Sequence, residues 1–201
     1  MKKSLLPLLI AIAALFSLPL FIHNPYYIHL VETILIYTIL LFGLDIVVGY
    51  VGQVSLGHAA LFGIGSYTAG VLYFHFGWTI WATLPASIIV TSIFGGILAL
   101  PALKVIGPYL AMVTLAFGTI AQILINEMTW MTEGPLGIKI PKPELMGVPM
   151  TKAEYFWMVS AILIMSLIVV DRFVKSQIGR AFEALRDSPI ACDCMGVSVY
   201  R

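Results

Sequence analysis

The most constraining feature of this chain is a run of 58 residues, from Ile46 to Leu103, that contains no Lys, Arg, Asp or Glu. A helix that crosses the hydrocarbon core of a bilayer needs about 20 apolar residues, so the run is long enough for two or three crossings. Over the whole chain 60% of the residues are hydrophobic and 10% are charged, and the mean hydropathy is +1.00. Soluble domains carry about 25% charged residues. The sequence therefore predicts an all-α integral membrane protein, and its net charge of +1 gives no indication of a nucleic-acid partner.

About six transmembrane helices are expected. The apolar segments long enough to span a bilayer are residues 5–22, 28–48, 57–76, 79–101, 107–126 and 154–171. The first of them is longer than the apolar part of a signal peptide, which is about 7–15 residues, and this favours an uncleaved span.

The basic residues predict an orientation. With Lys2 and Lys3 inside, six crossings leave Lys104 and the C-terminal segment on the same side, so that eight of the eleven basic residues face the cytoplasm. Tryptophan prefers the interface of a membrane, and all four tryptophans fall at the outer ends of predicted spans: Trp78, Trp81, Trp130 and Trp157. We therefore expect the N-terminus and the C-terminal segment to be cytoplasmic.

The outer loop, residues 127–153, is rich in turn-forming residues. It contains Gly134-Pro-Leu-Gly137 and Pro141-Lys-Pro143, which predict turns and extended backbone rather than helix. Two interpretations stay open for it, a plain connector or a landing surface for an external partner.

Polar residues interrupt the charge-free run at Gly49-Tyr-Val-Gly-Gln-Val-Ser-Leu-Gly-His58. Hydrogen-bonding side chains are costly in a membrane unless they face protein or a water-filled path. Glycine permits a backbone break, and transporters often break a helix where backbone groups meet the solute. We therefore predict a broken or re-entrant segment near 49–58 that lines the substrate pathway. Its candidate pathway residues are Gly52, Gln53, Ser55, Gly57 and His58.

The small residues that follow have a simpler interpretation. Ala59 and Gly63 are four residues apart, as are Gly65 and Ala69, which gives one helix face that neighbouring helices can approach closely. We expect Gly63, Gly65 and Gly70 to serve this packing.

Little in the sequence indicates chemistry. It contains no phosphate-binding loop, dinucleotide fingerprint or His-Glu-x-x-His zinc motif, and Cys192 and Cys194 are too few for a structural zinc site. We expect no enzyme activity, no metal and no cofactor. Glu32, Asp45 and His58 are weak candidates for buried ionisable residues of a pathway.

Residues 176–187 predict a short amphipathic helix. Ala181, Phe182 and Leu185 share one face, and charged residues cover the rest. Such a helix lies at the membrane surface or docks its apolar face in a groove of a partner.

Three blocks together resemble the branched-chain amino-acid ABC-transporter permeases. The first block is Gly49-Tyr-Val-Gly-Gln-Val-Ser-Leu-Gly-His-Ala-Ala-Leu-Phe-Gly-Ile-Gly-Ser-Tyr67. The second is Gly107-Pro-Tyr-Leu-Ala-Met-Val-Thr-Leu-Ala-Phe-Gly118, followed by Thr132-Glu-Gly-Pro-Leu-Gly137. The third is Ile178-Gly-Arg-Ala-Phe-Glu-Ala-Leu-Arg-Asp187 with Met195-Gly196. They occur in family order, which makes the resemblance specific.

The resemblance implies a subunit of the bacterial inner membrane that moves hydrophobic amino acids inward by alternating access. Its partners would be cytoplasmic ATP-binding subunits, a second permease subunit in a homo- or heterodimer, and a periplasmic substrate-binding protein. Residues 1–201 would form one permease domain, with a periplasmic loop at 127–153 and a cytoplasmic coupling loop at 172–201. The residues that would contact the ATPase are Gly179, Arg180, Glu183, Ala184, Arg186 and Gly196.

Permeases of the resembled family have further spans after this loop, so we expect the chain to be truncated, with C-terminal spans missing. Two alternatives to an amino-acid importer stay open. One is an ABC permease for urea or short amides. The other is an ion-coupled secondary transporter that uses Glu32, Asp45 or His58.

Overall fold

The computed structural model describes residues 16–19, 24–103, 105, 107–140, 144–145 and 148–188. The helices are α1 (Pro25–Asp45, continued by a π-helical turn at Ile46–Tyr50), α2 (His58–Phe76), α3 (Ile80–Ala102), α4 (Pro108–Glu127), α5 (Thr129–Thr132), α6 (Lys152–Val174) and α7 (Gln177–Asp187). A 3-10 turn lies at Gly134–Leu136. Two short strands, β1 (Glu144–Leu145) and β2 (Val148–Pro149), pair antiparallel. Residues 16–19 are also helical.

Five helices are long and apolar enough to cross a membrane: Pro25–Tyr50, His58–Phe76, Ile80–Ala102, Pro108–Glu127 and Lys152–Val174. They confirm the last five predicted spans, with ends that differ by at most three residues. Of the predicted span at 5–22, only residues 16–19 lie within the described part of the chain. The chain is thus an all-α, multi-pass membrane protein.

Local sequence sets where several helices begin. Pro108 is the first residue of α4, where its missing N–H removes no helical hydrogen bond. Thr151 and Glu154 form a capping box at the start of α6. The N–H of Thr151 donates to the Glu154 carboxylate at 2.7 Å, and the N–H of Glu154 donates to the Thr151 hydroxyl at 3.4 Å. These bonds satisfy backbone donors that a helix start leaves open.

The chain divides into two compact units. The first comprises the described residues of Met1–Gly43 and Met150–Ile178, and the second those of Leu44–Pro149 and Gly179–Arg201. In the first unit α1 and α6 pack through a small core of Leu35, Phe156 and Val159.

In the second unit α2 packs against α3 and α4. A Cβ atom on Gly65 would lie 3.0 Å from the Thr91 hydroxyl of α3, so the predicted packing role of Gly65 is confirmed. A Cβ on Gly70 would lie 3.2 Å from Cδ1 of Ile140. The missing side chain of Gly70 therefore allows the outer loop, and not a neighbouring helix, to pack closely at this position. For Gly63 the packing prediction is wrong within the described residues, because a Cβ there would have no neighbour within 4 Å.

The outer loop is more helical than its turn-forming residues predict, since α5 and the 3-10 turn lie within it. The buried hydroxyl of Thr132 donates to the carbonyl of Ile125 in α4 at 2.5 Å. Nε2 of His75 donates to the carbonyl of Met131 at 3.0 Å, which ties the end of α2 to α5. These bonds give hydrogen-bond donors to backbone carbonyls that would otherwise lack one, and so they stabilise a short helix there.

Candidate functional site

The helical backbone breaks where the glycines and polar residues predict it. After the π-helical turn at Ile46–Tyr50, residues 51–57 are not helical, and α2 begins at His58. We call residues 51–57 the broken segment. The N–H of Gln53 donates to the carbonyl of Val47 at 3.1 Å, which closes the end of the π-helical turn. The predicted interruption near 49–58 is therefore confirmed.

Gly52 is glycine for two separate reasons. Its φ of +74° lies in the left-handed region, which other residues enter at a cost of about 1–2 kcal/mol. A Cβ on Gly52 would also lie 2.7 Å from Cγ of Arg186 in α7. The aliphatic part of the Arg186 side chain thus occupies the space that a larger residue at position 52 would need.

The guanidinium of Arg186 meets the end of the preceding helix. Its Nη1 donates to the carbonyl of Gly49 at 2.8 Å. The last carbonyls of a helix lack partners and carry a partial negative charge, so an arginine there both caps and neutralises them. Asp187 also contacts this guanidinium, with Oδ1 3.7 Å from Nε. We call the set of Arg186, Gly49 and Gly52 the Arg186 contact; it joins residues 137 positions apart.

The far end of the broken segment is held by α4. The buried Thr114 accepts a hydrogen bond from the N–H of Leu56 at 3.0 Å, and its hydroxyl donates to the carbonyl of Ala111 at 3.0 Å. Gly57 is buried, and a Cβ there would lie 2.8 Å from the Thr114 carbonyl. The broken segment is therefore anchored at both ends, to α7 at one and to α4 at the other.

The remaining predicted pathway residues differ in exposure. Gln53 is exposed, and Ser55 and His58 are half-buried. Asp45 is exposed and its carboxylate lies over Gly49, where a Cβ would be 2.5 Å from Oδ1. Glu32 belongs to the other unit, is 7% exposed, and has Oε2 3.6 Å from Nδ1 of His29.

Helix α7 has the predicted amphipathic character. Gly179 is buried, and Ala181, Phe182 and Leu185 are half-buried. The exposed residues are Gln177, Ile178, Arg180, Glu183, Ala184, Arg186 and Asp187. Of the predicted coupling residues only Gly196 lies outside the described part of the chain.

A cleft of about 570 Å³ lies between α2 and α4, beside the broken segment. Its small lining residues are Ala59, Ala60, Gly63, Gly118 and Ala121. Its polar lining residues are Tyr67, Thr119, Gln122 and Asn126. Leu56, Leu115 and Ile125 complete the wall.

Sequence reasoning missed the polar residues of this cleft. Thr119, Gln122 and Asn126 are three and four residues apart, which places them on one face of α4. Polar residues at that spacing inside an apolar span are the sequence signal that could have identified this face of α4. The described ranges hold no group of three His, Cys, Asp or Glu residues arranged to bind a metal ion.

Comparison with known proteins gives the family. Residues 26–201 match the family described as branched-chain amino acid transport system / permease component. The chain is 36% identical over 192 residues to the high-affinity branched-chain amino acid transport system permease protein LivM of Salmonella typhimurium, and equally to LivM of Escherichia coli. Each alignment covers 83% of this chain and 45% of the relative, so the chain spans about half the length of these curated relatives. No solved structure matched. The chain belongs to the family of branched-chain amino acid transport permeases.

Proposed function

We propose that this chain forms part of a permease subunit of an ABC importer for branched-chain or other hydrophobic amino acids. It moves solute inward by alternating access, driven by ATP hydrolysis in a partner protein. Family membership and the five apolar helices support the importer class. The names of the two LivM relatives support the solute.

The observation that carries this proposal is the Arg186 contact. Helix α7 is the segment that we propose contacts the ATPase, through Gly179, Arg180, Glu183, Ala184 and Arg186, with Gly196 beyond the described residues. Arg186 bonds directly to the carbonyl of Gly49 and packs on Gly52. A displacement of α7 by a partner therefore acts on the start of the broken segment without an intermediate residue.

The broken segment is the proposed moving part of the pathway. Gly52, Gln53, Ser55 and His58 offer backbone and side-chain hydrogen-bonding groups, which bind a passing solute weakly enough to release it. Gly57 has a different proposed role. Its close approach to Thr114 supports a role in packing the segment against α4.

The proposed assembly follows from the family. It contains cytoplasmic ATP-binding subunits, a second permease subunit as a homo- or heterodimer, and a periplasmic substrate-binding protein, in the inner membrane of a bacterium. The N-terminus and the coupling loop at 172–201 are cytoplasmic, and the loop at 127–153 is periplasmic. Residues 1–201 belong to one permease domain, which itself catalyses no reaction.

Uptake by the complete importer in liposomes tests this function. We expect labelled leucine to enter only when ATP is present on the ATPase side, and labelled urea not to enter. Entry of urea instead of leucine would favour the permease for urea or short amides.

The same liposomes test the ion-coupled alternative. The importer should show no uptake with an ion gradient and no ATP, and Glu32→Gln should leave ATP-driven uptake unchanged. Gradient-driven uptake that Glu32→Gln abolishes would replace the ABC importer with a secondary transporter.

A further inference from the structure

The polar residues of the cleft between α2 and α4 need a partner. Thr119 donates its hydroxyl proton to the carbonyl of Leu115 at 3.1 Å and keeps its oxygen as an acceptor. In the described part of the chain the side-chain amides of Gln122 and Asn126 make no hydrogen bond, and both side chains are exposed on the cleft. An amide without a partner inside a membrane span is costly, so these groups face water or a polar ligand.

The opposite wall of the cleft leaves room for a ligand. It contains the small residues Ala59, Ala60 and Gly63, together with Tyr67. A Cβ on Gly118 would lie 3.9 Å from Cβ of Ala60, so the two walls meet in ordinary contact there. A Cβ on Gly63, in contrast, would meet nothing within 4 Å. Gly63 therefore borders open space.

Size and charge limit what the cleft can take. Its volume of about 570 Å³ falls within the range of small-molecule sites, about 300–1,000 Å³. Among the described residues that line it none is Lys, Arg, Asp or Glu. A solute with net charge would lose its hydration there without a counter-charge from the cleft, whereas the two opposite charges of a zwitterion partly compensate each other and its polar groups can bind the amides.

One end of the cleft lies next to the outer loop. Tyr67 lines the cleft, and a Cβ on Gly137 would lie 3.9 Å from its hydroxyl oxygen. Asn126 also lines it, and a Cβ on Gly134 would lie 3.1 Å from the Asn126 carbonyl. The broken segment supplies Leu56 to the same cleft. The cleft thus extends from the outer loop to the broken segment.

We propose that this cleft is the solute-binding site, and that it takes a small molecule of zero net charge with one polar and one apolar part. The amides of Gln122 and Asn126 and the oxygen of Thr119 bind the polar part. The wall of Ala59, Ala60 and Gly63 accommodates the apolar part. The proposal rests on the proposed function, and a zwitterionic amino acid with an apolar side chain meets both requirements.

Filling the cleft gives the first test, in the complete importer with labelled leucine. Gly63→Leu places a side chain in the open space and should lower uptake at least tenfold. Gly96→Leu in α3 is the matched control, because it makes the same change at another helical glycine with no neighbour within 4 Å. It should leave uptake within twofold of the unaltered importer. Equal uptake by both variants would overturn the proposed site.

Removing the amides gives the second test. Gln122→Leu and Asn126→Leu should each raise the KM for leucine about tenfold, the loss expected for one buried hydrogen bond to a charged group. Ser92→Ala, which removes an exposed hydroxyl from α3, is the control. An unchanged KM in both amide variants would show that the amides do not bind solute.

Protection of a cysteine separates this proposal from the proposed function, because it does not require transport. Gly63→Cys, with Cys192 and Cys194 replaced by Ser, should react with a water-soluble maleimide, and leucine should slow that reaction whereas lysine should not. Gly96→Cys should show no effect of leucine. If the importer moves leucine but leucine leaves the labelling of Gly63→Cys unchanged, the site is wrong and the function stands. If leucine protects but is not imported, the site stands and the function is wrong.

Discussion

Three glycines of the second unit illustrate how differently the same residue is used. Gly52 needs positive φ and also lies beneath Arg186. Gly57 has ordinary helical backbone angles and is small because the carbonyl of Thr114 lies against it. Gly63 meets no neighbour and borders the cleft. Alanine substitution therefore has a separate expected result at each position.

For Gly52→Ala we expect both a lower melting temperature of the importer in detergent and weaker ATP-driven uptake. The left-handed backbone costs about 1–2 kcal/mol for any residue with a Cβ, and the new methyl group displaces Arg186. Gly77→Ala is the matched control, since Gly77 has a φ of +62° but no neighbour within 4 Å. It should lower the melting temperature and leave uptake intact. Equal uptake by the two variants would mean that displacing Arg186 has no effect on transport.

For Gly57→Ala we expect destabilisation by about 1–3 kcal/mol, the usual cost of overpacking. The new methyl group would lie 2.8 Å from a backbone carbonyl, which cannot rotate away as a side chain can. Gly96→Ala should be neutral or stabilising, because alanine favours a helix over glycine by about 1 kcal/mol. Melting temperatures of the two purified variants measure the difference. A Gly57→Ala variant as stable as Gly96→Ala would contradict the close approach of α2 and α4.

At the scale of elements, helix α7 should act as a rigid unit. Ala184 is exposed in its interior, so Ala184→Pro overpacks nothing but removes a hydrogen bond and breaks the helix, at about 3 kcal/mol. We expect the variant to insert into the membrane and assemble, with ATP hydrolysis that no longer drives uptake. Gln177→Pro is the control, because proline is tolerated at the first residue of a helix. Uptake that survives Ala184→Pro would remove α7 from the coupling path.

Most of the helical elements follow from the sequence, because the thickness of a bilayer fixes the length of an apolar span. The break between Tyr50 and His58 was also predictable, since glycines alternate there with polar residues that a continuous span would not tolerate. The turn formers of the outer loop gave a wrong prediction for Thr129–Thr132. There the hydrogen bonds from Thr132 and His75 stabilise a helical turn that local propensity does not favour.

The site was less predictable than the elements. Small residues four apart indicate a packing face, but spacing alone does not tell whether a neighbour fills it. Gly65 meets Thr91 and Gly63 meets nothing, although both lie on α2. The bond from Arg186 to Gly49 spans 137 positions and rests on tertiary packing, which no local pattern encodes.

At the scale of the molecule, the second unit links an amphipathic helix, a broken segment and a cleft in one chain of contacts. Arg186 connects α7 to Gly49 and Gly52, Thr114 connects the other end of the segment to α4, and Leu56 brings the segment to the cleft. We infer that ATP hydrolysis changes the cleft by moving α7 relative to the broken segment. Glu32 is buried in the described part of the first unit, and the proposed mechanism assigns it no role.

The most direct test is the number of ATP molecules hydrolysed per leucine imported by the complete importer in liposomes. Arg186→Ala removes the bond to Gly49 and the packing on Gly52, so we expect hydrolysis to continue and the ratio of ATP to leucine to rise at least tenfold. Lys152→Ala, which removes an exposed basic residue from the first turn of α6, outside the coupling loop, should leave the ratio unchanged. An Arg186→Ala importer with the ratio of the unaltered protein would contradict coupling through the Arg186 contact.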